Sequence, residues 1–280
     1  MARRTYLMSE MTWPEVAEYL EENDILLWPV GSTEQHGRHG GLGCDSIVAL
    51  DLARLVAPRV NALVAPVLQY GVSEAHMHFP GTLSVSRATF AAAVDEILAS
   101  MLKHGFRKII ILSGHGGNNA VLGEAAGRVR RTHDAFCAVV PIFSMLKTTT
   151  PPEMWQSSIG GPGDGHAGEM ETSLVLATRP SAVDMRAARA ERPEQVILPD
   201  AGVTVQYQVG INYDGWTALT SLTVEEYCPA TGAAGNPTLA TADKGERALG
   251  IAVEKVVRFV NMIRLGYAVS PRSKDVQGVG

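Results

Sequence analysis

Twice along this chain a short, unbroken apolar run stops abruptly at a glycine-flanked polar turn, and that join restricts the architecture more than any other pattern. Ile25-Leu26-Leu27-Trp28-Pro29-Val30 leads into Gly31-Ser32-Thr33-Glu34, and Lys108-Ile109-Ile110-Ile111-Leu112 runs into Ser113-Gly114-His115-Gly116-Gly117-Asn118. Continuous apolar runs of this length predict strands buried on both faces, which requires helices on both sides of a parallel sheet. The segments between them fit. Residues 12–22 start with Thr12 as a possible N-cap and Pro14 in the first turn, and helices are predicted at 46–57, 86–104 and 119–131. Further strands are expected at 62–66 and 136–142. The alternation gives an α/β chain with a mostly parallel sheet, whose strand carboxyl ends collect on one ligand-binding edge.

Downstream, residues 148–163 form a long irregular insert containing Trp155, of the kind that serves as a lid or binding loop. Glu169 to Leu176 should begin a helix whose acidic first turn suits the helix dipole. Residues 203–227 alternate enough for strands, and 238–265 close with a long amphipathic helix. With 280 residues, 46% of them hydrophobic, one large α/β core is affordable, and no linker divides it, so residues 1–280 read as a single domain.

Charge and cysteine content narrow the function. The formal charge of −5 comes without a basic block, so a nucleic-acid partner is not expected. Cys44, Cys137 and Cys228 show neither CxxC pairing nor disulfide spacing, and Cys44 reads as a small apolar filler. No apolar run reaches the length of a membrane span, and the basic pair Arg3-Arg4 is not followed by a signal-like segment. The expected location is the cytoplasm.

Of the eight histidines, His36, His39, His76, His78, His115 and His166 all fall in Gly- or Pro-rich turns after apolar stretches, whereas His104 and His133 lie in charged helical surroundings. Glu34 and His36 sit two apart, so at an extended strand end both side chains leave one face. Asp45 follows a glycine-rich turn, His115 follows a predicted strand, and a third patch runs Asp164-Gly165-His166-Ala167-Gly168-Glu169-Met170-Glu171. Such carboxylates and imidazoles suit a divalent metal assembled from distant loops.

These blocks carry a family resemblance. Glu34-Gln35-His36-Gly37-x-His39, Asp45, Phe79-Pro80-Gly81-Thr82, Gly114-His115-Gly116-Gly117-Asn118 and His166-Ala167-Gly168-Glu169-x-Glu171-Thr172-Ser173 resemble the creatininase (creatinine amidohydrolase) family over about residues 25 to 180. The later Gly235-Asn236-Pro237-Thr238 and Lys244-Gly245-Glu246 are similar to its C-terminal segment. The resemblance implies a three-layer αβα fold, two divalent ions per subunit (zinc, with manganese or iron as alternatives) and a homohexamer. It implies that Asp45 bridges the ions, that Glu34 and His115 hold one, and that His36 holds the other. In creatininase a glutamate two residues after the matching histidine completes the second ion; here that position is Gly117. The resemblance then assigns the missing carboxylate to Glu169.

Two ions held about 3.5–4 Å apart can activate a bridging water and polarise a carbonyl oxygen, which is amide-hydrolase chemistry. The leaving nitrogen needs a proton. His166 matches the family residue given that role, and Glu171 is its rival. His39, His76 and Trp155 are expected at the substrate pocket. The reading is a metal-dependent hydrolase that opens a cyclic amide or cleaves a small non-peptide amide. Its alternatives are hydrolysis of a C–C bond in a cyclic diketone of the inosose type, or a non-catalytic scaffold with a structural metal.

Overall fold

The structure, a computed structural model, describes residues 4–159, 163–192, 196–198, 203–206, 210–220 and 222–266. Helix α1 (Trp13–Glu22) opens with a capping box in which Thr12 N donates to Glu15 Oε2 at 2.7 Å. Strand β1 (Ile25–Val30) is buried throughout. Next come α2 (Cys44–Val60), β2 (Leu63–Val64), α3 (Arg87–His104), β3 (Lys108–Ser113), α4 (Asn119–Thr132) and β4 (Phe136–Pro141). The second strand is shorter than the 62–66 expected. The helix expected at 46–57 starts earlier, and this places Asp45 in its first turn.

The four strands form an all-parallel sheet in the order β2-β1-β3-β4, with Leu27 paired to Val64 on one side and to Ile110 on the other. Alternate residues of each strand enter different cores, as the two-residue side-chain period requires. Ile25, Leu27, Ile110 and Leu112 pack with Val48, Leu52 and Val56 of α2. Leu26, Trp28, Ile109 and Ile111 pack with Phe90, Val94 and Leu98 of α3 and Leu122 of α4. Both faces are therefore covered, which explains why the strands read as unbroken apolar runs, and the result is the three-layer α/β fold. From β1 the chain crosses to β2 on one side and returns as β3 on the other. The carboxyl ends of β1 and β3 thus form the switch-point crevice where open α/β sheets bind ligands.

The insert differs from its expectation. Strand β4 passes directly into a helix, α5 (Ile142–Thr149), through Pro141, with no side-chain cap to announce it. Gly160, Gly161 and Pro162 of the insert lie outside the described residues. Helix α6 (Glu169–Thr178) follows. A second, antiparallel sheet then runs in the order β5 (Val196–Leu198), β6 (Val203–Gln206), β7 (Gly210–Tyr213) and β8 (Trp216–Leu219). Within the segment expected as strands, residues 207–209 and 221 lie outside the described set. Helix α7 (Val224–Tyr227) and the long α8 (Ala242–Gly266) complete the chain. The apolar side of α8 packs Ala252, Val256 and Val260 into the core that holds α2. Among the described residues no helix is long and apolar enough to cross a membrane.

Candidate metal centre and active site

Glu34 and His36 follow β1, Asp45 lies in the first turn of α2, and His115 follows β3; the switch point brings all four together, buried. Asp45 sits between two imidazoles. Its Oδ1 is 3.1 Å from His36 Nε2, its Oδ2 is 3.2 Å from His115 Nδ1, and Ser32 Oγ donates to Oδ2 at 2.5 Å. Glu34 Oε2 lies 3.1 Å from His115 Nδ1.

Main-chain carbonyls select the tautomers. A carbonyl oxygen only accepts, so the ring nitrogen facing it must carry the proton. His36 Nδ1 faces Glu34 O at 3.1 Å and His115 Nε2 faces Val72 O at 2.9 Å, whereas His166 Nε2 faces both an acceptor, Gln35 O at 2.7 Å, and a donor, the Gln35 side-chain amide at 3.0 Å. In the His36 and His115 rings the other nitrogen, which carries a lone pair when the ring is neutral, is aimed at the carboxylates. Fixing imidazole ligands from behind in this way is how protein metal sites are organised. His76 is the reverse: the Gln35 amide donates to its Nδ1 at 3.1 Å, so its Nε2 proton faces Glu34 Oε1 at 3.4 Å. His76 therefore orients Glu34 and offers no lone pair to the centre.

His166 is clamped by a segment far away in sequence. Gly165 N donates to Ala234 O, Ala234 N donates to His166 O, and Asn236 N donates to Asp164 Oδ1, at 2.9, 2.8 and 2.7 Å. Asp164 and Ala167 hold φ values of +61° and +53°, a strained conformation for non-glycine residues that is retained beside functional groups. Gly235 meets the same loop so closely that a Cβ there would fall 2.1 Å from the Asp164 Cβ. The His166 ring packs 4.5 Å from that of His36 and 4.4 Å from that of His76, centre to centre. Its Nδ1 is 3.8 Å from Glu34 Oε1 and 3.9 Å from Glu171 Oε2.

The third carboxylate requires a correction. Glu169, expected as the ligand, is fully buried but faces away from the cluster: Lys244 Nζ donates to its Oε1, and Gln156 N and Ser157 N donate to its Oε2 at 2.9 and 2.8 Å. Lys244 spends its other protons on Gln156 Oε1 and Leu239 O. The pair ties α6 to α8 and to the insert. Glu171, two residues on, reaches the centre instead, with Oε2 3.7 Å from His36 Nε2 and accepting from Ala167 N at 2.7 Å. Gly117 has no room for a side chain, since a Cβ would meet Val72 O at 2.4 Å and His115 Nε2 at 2.5 Å.

The pocket expectations also change. Trp155 is buried in the α2–α8 core with its indole N–H donating to Thr150 Oγ1 at 2.9 Å, so it packs rather than meets substrate. His39 lies behind α6, 2.9 Å from Thr172 Oγ1. Neither His39 nor His76 lines the cavity of about 160 Å³ that opens onto Glu34, Asp45, His115, His166 and Glu171. Its outer wall is Phe143, Ser144 and Lys147 of α5. Asn118 accepts from Val72 N and donates to Gly31 O, joining the end of β1 to the loop that carries Val72.

Electrostatics follow from burial and proximity. Burial opposes charge on His36, but the Asp45, Glu171 and Glu34 carboxylates outweigh it and lift the imidazole to about 9; His115 is raised by the same balance. Burial also penalises ionised Glu34 and Asp45, yet His115 and His76 hold Glu34 at about 2, and His36 and His115 hold Asp45 low. His166 goes the other way: burial, then His76 and His36, drive it well below the ordinary histidine value, so it rests neutral. Burial lifts Glu171 to about 7, into the range of an acid–base group. Cys44, buried beside Asp45, has its thiol pushed far up and is inert filler.

The donor set fits divalent ions. Glu34, Asp45 and His115 place ligand atoms within 4.8 Å of one another, and Glu34, His36 and His166 do the same. Glu34 Oε2 is buried with no partner other than the His115 ring at 3.1 Å, a place where a cation could stand in for the imidazole proton.

A doubly covered parallel sheet with carboxylates and imidazoles gathered at its switch point defines the class, a three-layer α/β protein with a candidate metal-binding site. The family model for creatininase, described as creatinine amidohydrolase, matches residues 9–260, and the chain belongs to the creatininase family of amidohydrolases. It is 27% identical to a creatinine amidohydrolase of Pseudomonas putida over 90% of this chain and 95% of that one. It is 28% identical to a mycofactocin precursor peptide peptidase of Mycobacterium tuberculosis, covering 92% and 93% of the two chains. A 3-dehydro-scyllo-inosose hydrolase of Thermotoga maritima is also 28% identical, covering 89% and 81%. Among solved structures, a creatininase superposes with a TM-score of 0.76 at 25% identity, over 95% of this chain and all of that one. A mutant creatininase of the Zn-Zn type and a manganese creatininase each give 0.72, at 27% and 28% identity, over 94% and 93% of this chain and 98% of each of theirs.

Proposed function

We propose that this hydrolase works with two divalent ions sharing Asp45 and cleaves the C–N bond of a cyclic or small non-peptide amide. The observation that carries the reading is the seat of Asp45, one oxygen toward His36 and the other toward His115 at nearly equal distances. Glu34 and His115 complete one subsite. His36 and Glu171 complete the other, Glu171 taking the part expected of Glu169. When bound, such ions supply a Lewis acid for the carbonyl oxygen and a water of lowered pKa.

The chain's own groups then handle the proton. His166, neutral and held at Nε2 by the Gln35 carbonyl and side-chain amide, turns Nδ1 to the cavity, where it takes the proton and passes it to the leaving nitrogen. Gly117 stands where creatininase has a glutamate, and this argues for a substrate other than creatinine. Zinc or manganese suits the mixed nitrogen and oxygen donors.

A screen of cyclic amides, small linear amides and cyclic diketones, run on metal-loaded protein, tests the reading. Turnover of an amide supports it, while turnover of diketones alone transfers the chemistry to C–C cleavage. We further propose a cytoplasmic homohexamer. The exposed Leu42, Tyr70, Met77 and Leu83 on loops near the centre, and Trp216 on the second sheet, are apolar surface that assembly would cover. A monomeric sedimentation coefficient at micromolar concentration would refute the assembly.

A further inference from the structure

Helix α5 faces the centre with three side chains that neither hold the proposed ions nor move the proton. Phe143, Ser144 and Lys147, spaced i, i+1 and i+4, occupy one side of the helix and form the wall of the cavity opposite Glu34 and His166. Phe143 is partly buried and apolar, while Ser144 and Lys147 are exposed at the mouth. Lys147 is the one lysine or arginine among the described residues lining this cavity. Its ammonium makes no hydrogen bond or ion pair to any described residue, in contrast to Lys108 and Lys244, which are both paired with carboxylates. Its influence is felt at Glu171, whose carboxyl it pulls down.

Charge makes this placement informative. On the reading above, three carboxylates face two divalent ions, which leaves one positive charge, and Lys147 brings a second. A neutral amide would leave both uncompensated around a cavity of about 160 Å³. We infer that Lys147 is a specificity-determining residue that binds an anionic substituent, a carboxylate or phosphate, carried a few bonds from the scissile amide. Ser144, on the same side of α5, offers a hydroxyl to that anion. The inference rests on the proposed metal centre and names the substrate class it serves: small acidic amides.

Two hydroxamic acids test it, because the hydroxamate group seizes the metal centre while the tail probes α5. Succinic acid monohydroxamate carries a carboxylate tail, and butyrohydroxamate is its neutral counterpart of equal chain length. Calorimetric titration of zinc-loaded protein should show the acidic compound binding about tenfold more tightly, the worth of one charged hydrogen bond. In Lys147→Met that preference should shrink to within about twofold with butyrohydroxamate affinity and metal content unchanged, and Lys147→Arg should recover part of it. Equal binding of the two compounds by the unmodified protein, or a preference that survives Lys147→Met, overturns the role of Lys147 alone. Binding of neither compound overturns the metal-centre reading, and this inference falls with it.

Discussion

The two halves of the centre are built on different principles. The first comes from the loops after β1 and β3 and the first turn of α2; the second comes from the start of α6 with α5 opposite. In the first, a strand delivers its ligands. The backbone leaves β1 extended, so Glu34 and His36 share a face, and Gln35 between them turns away to donate to Gly232 O and His76 Nδ1. In the second, a helix delivers them. Glu169 and Glu171 are two residues apart at 100° per residue, so they point to nearly opposite sides, and only one can reach the cluster of Glu34, His36 and Asp45. The same spacing of two therefore joins side chains on a strand and separates them on a helix.

Replacing Asp45 by alanine should have the largest effect, because both subsites lose a ligand. The variant should retain no tightly bound metal and show background activity, measurable by elemental analysis of the purified protein. Retention of two ions per chain would contradict its shared position.

The contrast between the two glutamates comes next. Glu171→Gln should lose the ion beside His36 while melting close to the parent temperature. Lys244→Met should keep both ions but lose about 3–5 kcal/mol of stability, since it strands the buried Glu169 carboxylate without its cation. Denaturant titration paired with metal analysis reads both variants. If metal is lost from Lys244→Met but not from Glu171→Gln, the assignment within α6 is reversed.

His166→Ala should leave two ions in place and cut turnover about a hundredfold to ten-thousandfold, the usual contribution of a placed acid or base. Loss of one ion in that variant would make His166 a ligand, which its Nδ1 geometry also permits, and would leave proton transfer to Glu171.

The smallest effect is in pH dependence. In metal-free protein His36 is raised from 6.5 to about 9, so the stability contributed by its charged form is full below pH 6.5 and is lost as pH climbs through 9. A bound ion replaces that proton. Melting temperatures of chelator-treated protein should therefore fall across this window relative to pH 6, while those of loaded protein should not. Parallel curves would show that His36 does not exchange its proton for metal.

This contrast also explains what could be read from the sequence. Strands β1 and β3, helices α1 to α4 and the convergence of Glu34, His36, Asp45 and His115 follow from apolar periodicity and glycine-flanked strand ends. Helix α5 does not, because Pro141 carries the chain from β4 straight into it with no capping side chain, and the following Thr148-Thr149-Thr150-Pro151-Pro152 reads as a breaker. Lys147 was hidden with it. The partners of Glu169 and Gln35 were out of reach for another reason: Lys244 and Gly232 lie 75 and 197 residues away, and local pattern carries no information on such pairs. Trp155 was ambiguous in kind, since a tryptophan in a long loop can cover substrate or fill core, and only its packing against the α2–α8 core decides.

Anomalous diffraction from zinc-soaked crystals, collected on both sides of the zinc edge, tests the central claim most directly. The account predicts two peaks per chain flanking the Asp45 carboxylate, one against Glu34 and His115 and the other against His36 and Glu171, with Glu169 still paired to Lys244. A single peak, or a second peak coordinated by Glu169, would contradict it.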